Sequence, residues 1–67
     1  MIGSLRGTLT DRDDAEVTVE AGGVGYRISV SPTTAVALGD VGDQVFCLIH
    51  HHQREDAQTL YGFATKD

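Results

Sequence analysis

Apolar and polar residues alternate with period two along most of this chain, the pattern of strands that bury one face. In Ala15-Glu16-Val17-Thr18-Val19-Glu20-Ala21 the odd positions are apolar, and in Val24-Gly25-Tyr26-Arg27-Ile28-Ser29-Val30 the even ones are. Gly22-Gly23 lies between them and supplies the positive φ of a tight turn, so the two segments read as a β-hairpin. A first strand runs from Met1 to about Thr10, with Leu5 and Leu9 on one face. Gly3 and Gly7 interrupt it and suggest a bulge or a sharp bend, as at a barrel corner. Asp11-Arg12-Asp13-Asp14 reads as a polar turn.

Ser31-Pro32-Thr33-Thr34-Ala35-Val36-Ala37-Leu38-Gly39 is the one helix candidate, about two turns long. Ser31 suits the cap, Pro32 the first helical position and Gly39 the stop. Val41-Gly42-Asp43 leads into a long strand from Gln44 to about Gln53, apolar on both faces: Val45, Cys47 and Ile49 on one, Phe46 and Leu48 on the other. A strand covered on both sides, or one coiled in a barrel, explains that pattern. The last strand, about Gln58 to Ala64, carries Leu60, Tyr61 and Phe63. The predicted fold class is all-β: a five-stranded OB-fold barrel with a short helix between strands 3 and 4.

With 67 residues, the chain makes one small domain, a size that buries only about 60% of its unfolded surface. Cys47 is its single cysteine, so no internal disulfide forms, and no Cys/His spacing of the structural zinc type is present. Stability must come from the β core, self-association or further domains; the last two together are favoured. Ten Asp+Glu against five Lys+Arg give a formal charge of -5. That balance argues against a stand-alone nucleic-acid binder and against docking on an anionic membrane. The apolar run Val45-Phe46-Cys47-Leu48-Ile49 is far too short to span a bilayer. The N-terminal residues lack a signal-peptide pattern, and the expected compartment is the cytoplasm.

Candidate chemistry is sparse. Arg54-Glu55-Asp56-Ala57 lies between the last two strands and reads as a hairpin tip. Glu55 and Asp56 must stay solvated there, because an unpaired carboxylate does not bury at neutral pH. They are either an inert turn or a device that acts on something charged. His50 and His52 share a strand face, opposite His51, but nothing supplies a third ligand, so no metal is assigned. Gly22-Gly23-Val24-Gly25 lacks the spacing and following helix of a dinucleotide loop. Cys47 alternates with Val45 and Ile49 as a core residue, with no nucleophile, base and orienter around it. Tyr26, Tyr61 and Phe63 suit either a base-stacking platform or the core, and the charge balance favours the core. Arg6 and Arg27 read as isolated surface residues. No catalytic residue and no cofactor is assigned.

Three segments together resemble the N-terminal domain of the RuvA family: Met1-Ile2-Gly3-x-Leu5-Arg6-Gly7, Gly22-Gly23-Val24-Gly25-Tyr26, and Arg54-Glu55-Asp56-Ala57-Gln58-x-Leu60-Tyr61-Gly62-Phe63. The resemblance covers the chain in one register and implies an OB-fold. It further implies a non-catalytic scaffold that holds a four-way DNA junction during Holliday junction branch migration, in recombination and repair. The protein would act as a homotetramer, with the hexameric ATPase motor RuvB as partner. Residues 1–67 would then be one N-terminal domain of a longer protein, the helix-hairpin-helix and motor-binding domains being absent from this chain. By the same resemblance Glu55 and Asp56 form an acidic pin aimed at the crossover, and Arg54 is a candidate DNA contact. The competing readings are a generic OB-fold module for single-stranded nucleic acid and a small protein-interaction barrel.

Overall fold

The computed structural model describes residues 3–53 and 58–63. Its elements follow the predicted order: β1 (Ser4–Arg12), β2 (Glu16–Ala21), β3 (Val24–Ser29), α1 (Pro32–Leu38), β4 (Gln44–Gln53) and β5 (Gln58–Phe63). The strands close into a barrel in the order β1-β2-β3-β5-β4, with β4 returning to β1. This is the five-stranded OB-fold layout, with its helix between the third and fourth strands.

β1 closes the barrel because it serves two partners. Its first part, Ser4 to Thr8, pairs antiparallel with Leu48 to Gln44 of β4, and from Thr8 onward it pairs with β2. The strand changes partner at Gly7 and Thr8. A Cβ on Gly7 would stand 2.2 Å from the backbone oxygen of Glu20, so only glycine lets β1 pass that close to β2. Where a bulge or bend was expected at Gly7 there is a close approach to β2, the bulge lies instead at Thr10, and Gly3 precedes the strand.

The reading of residues 11–14 as a turn needs correction. Asp11 and Arg12 continue β1, pairing with Thr18 and Val17. The register shifts between Leu9 and Asp11 and leaves Thr10 as the extra residue of a bulge. The bulge lets polar residues extend the ladder while Leu9 stays in the core. The turn shrinks to Asp13 and Asp14, where the Asp13 carboxylate accepts from the backbone N–H of Ala15 and of Glu16, each at 2.8 Å. These two bonds hold the Asp13 carboxyl below its ordinary pKa.

The β2–β3 turn is as expected. Gly22 and Gly23 have φ of 62° and 84°, and Ala21 pairs with Val24 across them. In α1 the Ser31 hydroxyl accepts from the N–H of Thr34 at 3.2 Å, Pro32 opens the helix and Gly39, at φ 122°, ends it. Ala35 is buried in the core and Leu38 packs against it, so the helix covers one end of the barrel.

Leu9, Val17, Val19, Ile28 and Cys47 are fully enclosed, joined by Ala35, Val45 and Ile49. All except Ala35 are inward positions of the period-two pattern, each large apolar side chain stabilising the fold by roughly 1.5–3 kcal/mol. The preference for Tyr26, Tyr61 and Phe63 as core residues holds only for Tyr26, which packs against this cluster. Tyr61 is 41% exposed and Phe63 49% exposed. Period two explains the difference: on β5 the inward positions are Leu60 and Gly62, so the two rings face out. Gly62 is inward because Ile28 fills the space: a Cβ there would meet Ile28 Cγ2 at 2.6 Å. Likewise β4 is apolar on both faces because it is a barrel strand, with Val45, Cys47 and Ile49 inside and Phe46, 43% exposed, outside.

Two predictions follow from this packing. Gly7→Ala should lower unfolding free energy by at least about 1–3 kcal/mol, the usual cost of overpacking. Gly25→Ala, whose new Cβ meets only Thr18 Cγ2 at 3.5 Å, should change little; urea titration of both compares them. Because the folded pKa of Asp13 is depressed, its contribution is present above the ordinary value of 3.8 and is lost as pH falls through the folded value. Asp13→Ala should therefore destabilise the fold at neutral pH and flatten its acid-unfolding curve, as followed by circular dichroism.

Candidate functional site

The candidate tip grows from the β4–β5 hairpin. The two strands pair from Leu48 with Phe63 to Gln53 with Gln58, which leaves residues 54–57 as the connection between paired ends. Arg54, Glu55 and Asp56 lie outside the described residues. What the structure does describe is the base that carries them. β1 accompanies β4 only as far as Leu48, with one further bond from the N–H of Ile49 to the carbonyl of Gly3 at 3.0 Å. On the other side, β3 meets β5 at a single parallel pair, Ser29 with Tyr61. The pairs His51–Leu60, His52–Thr59 and Gln53–Gln58 therefore have no third strand among the described residues. They form a two-stranded ribbon that runs on for roughly 10 Å, at about 3.3 Å per residue.

That ribbon is anchored rather than free-standing. Leu60 packs against the core. Thr59 and Leu60 form one wall of an open groove, with Gly25, Tyr26 and Arg27 of β3 opposite. The long β4 makes this geometry: half of it closes the barrel and the other half carries the hairpin outward.

The electrostatics of the described surface are those of an acidic module with engaged cations. Arg12 donates to the carbonyl of Gly39 at the end of α1 and lies 3.5 Å from the Asp40 carboxylate. Arg27 lies 3.7 Å from Glu16. The Arg6 guanidinium stands over the Phe46 ring, 5.3 Å from its centroid. Arg6 and Arg27 are on the surface as expected, but neither is isolated. The ion pairs are exposed and worth about 0–1 kcal/mol each, so they matter less for stability than for where positive charge sits. Among the described residues, Arg6 and Arg12 lie toward opposite ends of β1 and Arg27 lies on β3.

Among the described residues, no three His, Cys, Asp or Glu side chains gather as a metal ion would require. His50 is exposed, with its ring centroid 6.4 Å from that of Tyr61. Cys47 is free and buried, as its alternation with Val45 and Ile49 implied. Burial pushes its thiol pKa up from an ordinary 9.0. Also among the described residues, no helix is long and apolar enough to cross a membrane.

One surface feature escaped sequence reasoning: the outward rings of Phe46, Tyr61 and Phe63, the first of them under Arg6. The alternation on β4 and β5 signals that these rings share outward parity. It does not tell that Arg6 pairs with Phe46 and Leu48 with Phe63, which barrel closure brings about.

The family model described as RuvA N terminal domain matches residues 1–62. Among curated proteins, the chain is 49% identical over 65 residues to the Holliday junction branch migration complex subunit RuvA of Albidiferax ferrireducens, covering 97% of this chain and 34% of that protein. It is 44% identical over 66 residues to the subunit of the same name from Colwellia psychrerythraea, covering 98% of this chain and 31% of the relative. The counterpart in Solibacter usitatus is 43% identical over 67 residues, all of this chain and 34% of that protein. The chain thus spans about a third of the length of the curated relatives it matches.

The raised thiol pKa and full enclosure of Cys47 predict slow alkylation at pH 8. Labelling should proceed only as the barrel opens, and urea should accelerate it steeply. The contribution of the buried neutral thiol is full below the ordinary thiol pKa and is lost as pH rises through the raised folded value, so stability should fall on the alkaline side.

Proposed function

The chain belongs to the family of RuvA N-terminal domains, and from that premise we propose that it is the non-catalytic scaffold module of a Holliday junction branch-migration complex. In this reading it serves recombination and repair in the cytoplasm. The full-length protein acts as a homotetramer on four-way junction DNA, alongside the hexameric ATPase motor RuvB. The carrying observation is the ribbon at the end of the β4–β5 hairpin, whose last pair is Gln53 with Gln58 and whose connection contains Glu55 and Asp56.

Their chemistry suits guidance, not attachment. A carboxylate about 6 Å from a phosphate is repelled by roughly 0.7 kcal/mol in bulk water and roughly 3 kcal/mol at an effective dielectric of 20. Four subunits around a fourfold axis would bring about eight such charges to the crossover, from two per chain. Strands leaving one duplex would be discouraged from re-pairing across the centre and turned toward the neighbouring arm. Attachment to phosphate would come from the remainder of the full-length protein. This agrees with a formal charge of -5 and with arginines already engaged by Asp40, Glu16 and Phe46. Arg54, beside the acidic pair, would contact a phosphate or moderate the pair's charge.

The test uses the full-length protein with Glu55→Ala and Asp56→Ala combined. Junction affinity should rise by about fivefold, the equivalent of about 1 kcal/mol. The gain should shrink as salt is raised. Motor-driven branch migration should change in rate. Unchanged affinity and unchanged migration would make the tip an inert turn.

A further inference from the structure

Among the described residues, the barrel is closed least firmly where β3 meets β5. The strands on either side of that seam are held by ladders: Glu16–Ser29 to Ala21–Val24 between β2 and β3, and Leu48–Phe63 to Gln53–Gln58 between β4 and β5. The seam itself has one pair, Ser29 with Tyr61, and it is parallel, the slightly less stable kind. Solvent reaches this pair from both sides. Toward the N-terminal ends of the two strands lies the groove of Gly25, Arg27, Thr59 and Leu60, about 430 Å³. Toward their C-terminal ends lies a hollow of about 190 Å³ lined by Val30, Ser31, Gly62 and Phe63. Each has room for several waters, at about 30 Å³ apiece.

The direction of each amide follows from two bonds. The N–H of Val30 donates to Ala15, and that of Ile49 to Gly3 on the β1 side. Successive strand amides point opposite ways. The N–H groups of Ser29 and Gly62 therefore point across the seam, while those of Ile28 and Tyr61 point into the β2–β3 and β4–β5 ladders. Apart from this bonding, the seam is held by packing. Gly62 lies so close on the enclosed Ile28 that a Cβ would meet Ile28 Cγ2 at 2.6 Å and Val30 Cγ1 at 3.3 Å.

We infer that the β4–β5 hairpin is a hinged unit: it lifts from β3 at the Ser29–Tyr61 seam with its own ladder intact and turns about the β1–β4 ladder. Local opening takes the route with the fewest bonds to break and the readiest access of water, and the seam combines both. The pairs Ser4–Leu48 to Thr8–Gln44 stay closed and form the hinge. Residues 54–57 connect the two strands of the hairpin, so their position relative to β1, β2 and β3 depends on whether the seam is shut. This follows from strand register and packing alone and does not rest on the DNA-junction reading.

Two measurements on the full-length protein test it. In hydrogen exchange read amide by amide, and corrected for the rates of the unfolded chain, Ser29 and Gly62 should exchange at least about tenfold faster than Ile28 and Tyr61. In the Ile28→Cys variant, position 28 should react with a small aromatic disulfide reagent at least about tenfold faster than Cys47 of the same chain, below the unfolding transition and with each rate divided by its value in unfolding urea. Ile28 and Cys47 are both fully enclosed, but Ile28 lies beneath Gly62 and Cys47 faces Leu5 across the hinge ladder. Seam amides as slow as Ile28 would show the seam shut and overturn the proposal. Tyr61 exchanging as fast as Gly62 would overturn it too, because the hairpin would then unravel instead of lifting whole. Reaction at position 28 no faster than at Cys47 would report a single global opening, with the same consequence. The exchange measurement needs no substitution, so it decides the matter if Ile28→Cys fails to fold. None of these outcomes bears on whether Glu55 and Asp56 steer DNA, so the two proposals fail separately.

Discussion

Closure of the sheet through β1 is the constraint from which the rest of this domain follows. One strand must bond β2 along one part of its length and β4 along the other, and at Gly7 it passes so close to the Glu20 backbone that no side chain fits. A small domain has little core to spare, so leaving two sheet edges open would cost both solubility and hydrogen bonds. Closure brings β4 back beside β1 and encloses Leu9, Val19, Ile28 and Cys47 together. It also defines where β4 stops being wall and becomes ribbon. The bulge at Thr10, the Asp13 turn and the Arg12 contact with the end of α1 are local adjustments that let β1 do this without breaking its ladder.

The same geometry separates two kinds of surface. At the hairpin end β4 and β5 run on as a two-stranded ribbon whose last pair is Gln53 with Gln58. On the outer wall it leaves Phe46, Tyr61 and Phe63 partly exposed, with Arg6 over the first ring and His50 paired with Tyr61. The described arginines are drawn into local partnerships with Asp40, Glu16 and the Phe46 ring.

Much of this was legible in the chain itself. Period-two alternation revealed the inward sets Val17 and Val19, and Val45, Cys47 and Ile49, because alternate strand residues must face opposite sides. Gly22-Gly23 marked its turn, and Ser31, Pro32 and Gly39 bracketed the helix, since each residue type matches a local backbone need. The β4–β5 hairpin was recognisable because strand formers flank residues 54–57, and its pairs run from Leu48 with Phe63 to Gln53 with Gln58. Where reading failed, distance along the chain was the cause. Asp11 and Arg12 resemble turn residues until a strand several residues later offers them partners, Thr18 and Val17. Tyr61 and Phe63 resemble core residues until Gly62 is seen to be the inward position, made so by Ile28 from a different strand.

The division has a physical reason. Sequence alone determined the elements, the inward face of most strands, the acidic balance and the family, because these depend on local backbone preference, on parity and on residue identity. Only the tertiary structure decided which strands meet, where Gly7 must make way, and that Phe46 lies under Arg6 and beside the wall that carries Phe63. Those are consequences of barrel closure, and closure is a relation between strands that no single stretch of the chain contains.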